Sequence, residues 1–114
     1  MNHEEVKSLL LDKKLVVIFR RIPVEQIGRV SEALVRGGVK LLEVTFDQQS
    51  QDPAADYARS IEQVRHAVGD ALCLGAGTVL SCGQVRTARE AGAEFILSPN
   101  TDIDVIRLTR QLGM

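Results

Sequence analysis

Apolar residues follow two alternating rhythms along this chain. Short runs rich in β-favouring types, at Leu15–Phe19, Leu41–Phe46, Leu72–Ala76 and Phe95–Leu97, are each followed by a longer stretch in which apolar positions recur at helical spacing. The first of these stretches opens at Pro23, whose fixed φ and missing N–H suit the first turn of a helix. It aligns Val24, Ile27, Val30 and Leu34 before Gly37-Gly38 stops it. The second starts at Asp52-Pro53, presents Tyr57, Ile61, Val64 and Val68 for burial, and ends near Gly69. Ser81 and Gln84 have the spacing of a capping box for a third helix through Ala91. The fourth starts near Thr101, spaces Val105, Leu108, Thr109 and Leu112 along one face, and stops at Gly113. A leading amphipathic segment, Val6 to Leu11, is expected to plug or flank the fold.

Strands alternating with helices imply right-handed crossovers and a parallel sheet, which leaves a choice between a barrel and an open, doubly wound sheet. The second strand favours the barrel. Its alternation puts Leu42, Val44 and Phe46 on one face and Leu41, Glu43 and Thr45 on the other, and an interior carboxylate suits a barrel lumen near its catalytic rim. Glycine-bearing joints also recur before strands, at Arg36-Gly37-Gly38-Val39 and Glu90-Ala91-Gly92-Ala93, as a repeated strand–helix unit requires. The expected fold class is therefore α/β, with a single domain over 1–114. It comprises a leading helix and four strand–helix units, the N-terminal half of a (β/α)₈ TIM barrel, and the chain ends where a fifth strand is expected. Such a half leaves its first and fourth strands as edges and lumen residues such as Leu41 without facing partners, so in isolation it is expected to self-associate.

Composition narrows the function classes. With 114 residues, 45% hydrophobic and 25% charged, the chain reads as an ordinary globular protein, and disorder is excluded. A formal charge of −1 gives no basic footprint for nucleic acid or an anionic membrane, so a small, neutral molecule is the default partner. The apolar runs fall short of a membrane span, and Met1 to Lys13 lacks the order of a signal peptide, which points to the cytoplasm. Cys73, Cys82, His3 and His66 match no zinc spacing, so reduced structural thiols and no metal are expected.

Four stretches then carry a family resemblance: Val16-Val17-Ile18-Phe19-Arg20, Leu42-Glu43-Val44-Thr45-Phe46, Gly75-Ala76-Gly77-Thr78-Val79-Leu80 and Ala91 through Asn100. In this order and spacing the chain resembles the first half of the 2-keto-3-deoxy-6-phosphogluconate / 4-hydroxy-2-oxoglutarate aldolases. The resemblance implies reversible cleavage of a 2-keto-4-hydroxy acid to pyruvate and an aldehyde through a lysine Schiff base, with no cofactor or metal, by a homo-oligomer, a trimer. In such chemistry the protonated imine is the electron sink for C3–C4 cleavage, and a carboxylate moves protons for carbinolamine dehydration, the C4 hydroxyl and the enamine. Glu43 matches the family's acid–base position. Thr78 matches its contact to the substrate carboxylate, and N–H groups exposed by Gly75 and Gly77 are expected to help hold that anion. Arg20 corresponds to an arginine that some members use for substrate anions. Asp47 departs from the family, since some members carry a substrate-binding arginine there, and this puts a phosphorylated substrate in question. The imine-forming lysine belongs to a sixth strand beyond this chain. The four lysines present, Lys7, Lys13, Lys14 and Lys40, lie on the leading helix or ahead of strands, so the chain by itself is expected to be an inactive, truncated form.

Plainer readings stand beside these. Glu43 can instead be a structural partner of Arg20 across adjacent strands, and Thr78 can serve only to cap a turn. Gly75-Ala76-Gly77 is not a dinucleotide fingerprint, because Leu80 stands where the third glycine belongs. Arg21 reads as a solvated rim charge. Ser98 and Asn100, flanking Pro99, suit a pocket lining and a turn about equally. The competing functions are a noncatalytic anion-binding α/β module and another phosphate-handling barrel enzyme, such as an isomerase.

Overall fold

The computed structural model describes residues 1–114. Its elements are α1 (His3–Lys13), β1 (Val17–Phe19), α2 (Val24–Arg36), β2 (Leu41–Thr45), α3 (Pro53–Val68), β3 (Cys73–Gly77), α4 (Cys82–Ala91), β4 (Phe95–Ile96) and α5 (Ile103–Gln111). The sheet runs β1-β2-β3-β4 with every neighbouring pair parallel. Strand order without a reversal is the topology of consecutive barrel units and rules out a doubly wound sheet.

Each element forms near its expected place, and the differences have local causes. β1 begins at Val17 because only Val17, Ile18 and Phe19 find partners on β2, leaving Leu15 outside the ladder. β3 is shifted to Cys73–Gly77 by its register with Leu41–Thr45. Pro23 precedes the first helical residue of α2, whereas Pro53 occupies the first turn of α3, where the Asp52 side chain caps the Ala55 N–H at 3.0 Å. α5 starts at Ile103, two residues later than expected, because the Asp102 carboxylate caps the N–H groups of Asp104 and Val105. Val68 is half-buried, while Tyr57, Ile61 and Val64 are fully inside.

The main core lies between the helices and the outer sheet face, where Leu42, Val44, Phe46, Leu74 and Ala76 pack with Ile27, Tyr57, Ile61, Val64, Val85 and Ala88. Phe46 stacks on Tyr57 with ring centroids 4.4 Å apart. A second, smaller core corrects the expectation that Leu41 lacks partners. On the opposite sheet face Leu41 and Cys73 meet Val6 of α1, with Leu9, Val16 and Phe95 around them, so α1 covers that face and leaves Leu41 1% exposed. Higher on the same face, at the β1 edge, Ile18 remains 54% exposed. No helix is long and apolar enough to cross a membrane.

The N-terminal end of the sheet is fastened by charge. Glu94, just ahead of β4, accepts from the Met1 amino group at 3.1 Å and from Arg65 at 2.9 Å, and Arg65 also donates to the carbonyls of Gly69 and Leu72. Burial alone raises a carboxyl pKa, but these donors outweigh it and hold Glu94 below its ordinary range. The buried Cys73 thiol, beside Glu94, is pushed up to about 12 by burial and by that negative charge. Both cysteines are free.

Candidate active site

The other end of the sheet is built differently. The alternation of β2 turns Glu43 to the inner face, one step above Leu41, and the register sets it level with Ile18 and Gly75. Gly77 then makes room for the side chain. A Cβ on Gly77 would strike the Glu43 carboxylate, and one on Gly75 would strike the Phe95 ring. Glycine at these positions thus leaves inward space for Glu43 and Phe95.

Glu43 is 5% exposed and its carboxylate has no hydrogen-bond partner in the protein, yet no fully enclosed polar side-chain atom is left unpaired. Its oxygens therefore keep a narrow contact with solvent at the strand ends. Burial raises its pKa, and the Arg20 guanidinium opposes that shift without cancelling it. No ion pair joins Arg20 to Glu43, so the plain reading of a structural salt bridge between them is not the arrangement found.

Arg20 and Thr78 line a cleft of about 160 Å³ over the strand ends, together with Arg21, Thr45, Asp47, Gln48 and Gln49. Glu43 does not line that cleft; its carboxylate lies against Gly77, whose ladder partner Thr45 and chain neighbour Thr78 do. Thr78 has φ of 55°. For a β-branched residue this left-handed conformation costs on the order of 1–3 kcal/mol. Its hydroxyl makes no hydrogen bond within the protein, while its carbonyl accepts from Gln48 at 2.8 Å.

Several rim features escaped sequence reasoning. Arg21 is a solvated rim charge as expected, but it also has positive φ, and its guanidinium is held by Asp47 at 3.3 Å and Gln49 at 3.2 Å. Asp47 thus neutralises a neighbouring cation at the rim. Ser81 caps α4 through the Gln84 N–H as expected, but the second half of the capping box is absent, because the Gln84 side chain accepts from Leu80 N–H and pairs with Gln48. Ser98 donates to the Val79 carbonyl at 2.8 Å, tying β4 to the turn after β3, and Asn100 borders a separate cleft between α1 and α5. His66 is exposed, and His3 lies beside Glu4. All four lysines lie on α1, at its cap, or before β2, a strand's length from Glu43's end of the sheet.

Comparison with known proteins agrees with this architecture. The family model for KDPG and KHG aldolase matches residues 6–113. The chain is 38% identical over 93 residues to a 2-dehydro-3-deoxy-phosphogluconate aldolase of Treponema pallidum, covering 76% of this chain and 41% of that protein. Among solved structures it is similar to a native KDPGal structure, with a TM-score of 0.73, 28% identity, and coverage of 87% of this chain and 45% of the other. It is also similar to the KDPG aldolase from Legionella pneumophila with pyruvate captured at low pH as a covalent carbinolamine intermediate. There the TM-score is 0.68, the identity 26%, and the coverage 84% of this chain and 43% of the other. The chain spans less than half the length of each of these proteins.

Proposed function

Because the chain belongs to the KDPG and KHG aldolase family, we propose that the complete protein is a pyruvate-forming aldolase of the Schiff-base type, and that these residues supply its acid–base half. The observation that carries this is Glu43: a carboxylate on the inner face at the rim end, free of protein hydrogen bonds, with its pKa raised by burial. A carboxyl with those properties is better matched than an ordinary glutamate to accepting and returning protons. The imine-forming lysine would come from the part of the barrel that the relatives have and this chain does not span.

In this reading the lysine amine adds to the C2 ketone and Glu43 protonates the departing carbinolamine hydroxyl. It then takes the C4 hydroxyl proton as the C3–C4 electron pair moves into the imine, and it delivers a proton to C3 of the enamine. Thr78 and Arg20 would bind the substrate carboxylate, with Gly77 leaving space for Glu43 beside them. A homotrimer in the cytoplasm belongs to the same reading. Asp47, engaged with Arg21, supplies no cation at the place where some family members carry a substrate-binding arginine, which favours a substrate without phosphate at that point.

Borohydride trapping tests it. Residues 1–114 treated with pyruvate and borohydride should gain no covalent adduct, whereas the complete protein should be trapped on a lysine outside this segment. An adduct on Lys7, Lys13, Lys14 or Lys40 would overturn the assignment.

A further inference from the structure

Thr78 leaves β3 in a backbone conformation that a β-branched residue does not hold unaided. Two glutamines meet it there. Gln48, in the loop after β2, donates from Nε2 to the Thr78 carbonyl at 2.8 Å and to Gln84 Oε1 at 3.2 Å. Gln84, in the first turn of α4, donates from Nε2 to Gln48 Oε1 at 2.7 Å and accepts the Leu80 N–H at 2.9 Å.

Backbone groups at the two ends fix both amide orientations. The Leu80 N–H can only donate, so it faces the oxygen of Gln84. This turns the Gln84 nitrogen to the Gln48 oxygen, and the Gln48 nitrogen to the Thr78 carbonyl, which can only accept. Helix capping does not account for the arrangement. Ser81 already caps the Gln84 N–H, and a capping-box glutamine would return to the Ser81 N–H instead of reaching the neighbouring loop.

We propose that Gln48 and Gln84 are positioning residues that clasp the loop after β2 to the turn after β3. By holding the Thr78 carbonyl they fix the peptide unit that follows its Cα, which keeps the residue in its left-handed turn and its unpartnered hydroxyl at the cleft it lines with Arg20. The inference rests on the reading of Thr78 as the substrate-carboxylate contact. It adds that this contact is set by a side chain from the loop that follows the strand carrying the acid–base residue.

The test uses Gln48→Met and Gln84→Met, which keep side-chain bulk and remove the amides. In the 114-residue chain, NMR should show the strong intraresidue N–H to Hα contact of a left-handed Thr78, lost or averaged in each variant while the rest of the spectrum holds. In the complete enzyme, Gln48→Met should raise KM for the 2-keto-4-hydroxy acid by about tenfold with kcat within about threefold, as expected when a binding contact present in both ground and transition states is lost. If Thr78 keeps its left-handed signature in both variants, the clasp is overturned, whatever the enzyme does, because that readout needs no substrate. A lost signature with unchanged KM overturns Thr78 as the substrate contact and, with it, the positioning role.

Discussion

Glu43 and Glu94 are both drawn into the fold, their carboxylates reaching toward opposite ends of one sheet, and the protein treats them in opposite ways. Glu94 receives the Met1 amino group and the Arg65 guanidinium, and its pKa falls below the ordinary range. Glu43 receives no donor and is opposed only by the more distant Arg20, and its pKa rises. Satisfied in this way, a carboxylate is fixed as an anion and serves as a rivet. Left unsatisfied beside solvent, it can change protonation state, which acid–base chemistry requires. The packing follows the same division, the N-terminal end being closed by α1 over Leu41 and Cys73, whereas positive φ at non-glycine residues occurs at both ends, at Lys14 before β1 and at Arg21 and Thr78 on the rim.

The sharpest contrast is between matched substitutions. Glu43→Gln should lower turnover of the complete enzyme by about 10²–10⁴-fold, the usual span of general acid–base catalysis. Glu94→Gln should leave turnover nearly unchanged and lower unfolding stability by about 1–3 kcal/mol, because it weakens charge-assisted hydrogen bonds at a mostly buried site. Steady-state kinetics and denaturant unfolding on both variants would break the comparison if the effects were exchanged.

A pair of glycines separates site geometry from packing in the same manner. Gly77→Ala places a methyl group against the Glu43 carboxylate, the mobile end of a side chain, and Gly75→Ala places one against the Phe95 ring. The first should cost turnover, on the order of 10²-fold for a displaced catalytic group, with a small change in Tm. The second should cost stability, about 1–3 kcal/mol for overpacking.

The smallest expected effect is on stability against pH. Because Glu43's folded pKa is raised, its contribution to stability is present below the unfolded pKa and lost as pH rises through the folded one. Glu43→Gln escapes that loss, so it should melt on the order of a few degrees above wild type at pH 7, with the gap closing in acid. Glu94 has the reverse sign, its stabilisation being lost as pH falls through its depressed pKa. Thermal melts of both variants across acidic to neutral pH measure the two slopes.

Much of this division was legible in the sequence. The alternation along Leu41–Phe46 places Glu43 inside, because a residue's side of a strand is set by counting in twos. The sequential parallel order followed from strand–helix spacing. Other features were not legible, because they depend on registers between segments far apart in the chain. Glu94 carries no local sign of its partners at Met1 and Arg65, and Gln48 and Gln84 lie 36 residues apart on polar stretches that look like ordinary loop and cap. The space that Gly77 leaves is likewise not legible locally, because it is filled by a side chain on the neighbouring strand. The cover over Leu41 is not legible either, because it depends on where α1 comes to rest, through Val6, on a strand far along the chain.

The central claim is that the fold leaves Glu43 unsatisfied while it ties Glu94 down. Carboxyl-carbon NMR titration of the 114-residue chain, with the two signals assigned through Glu43→Gln and Glu94→Gln, reads both groups in one experiment. The account predicts that Glu43 titrates above the ordinary glutamate range and Glu94 below it. Glu43 titrating at or below Glu94 would contradict it.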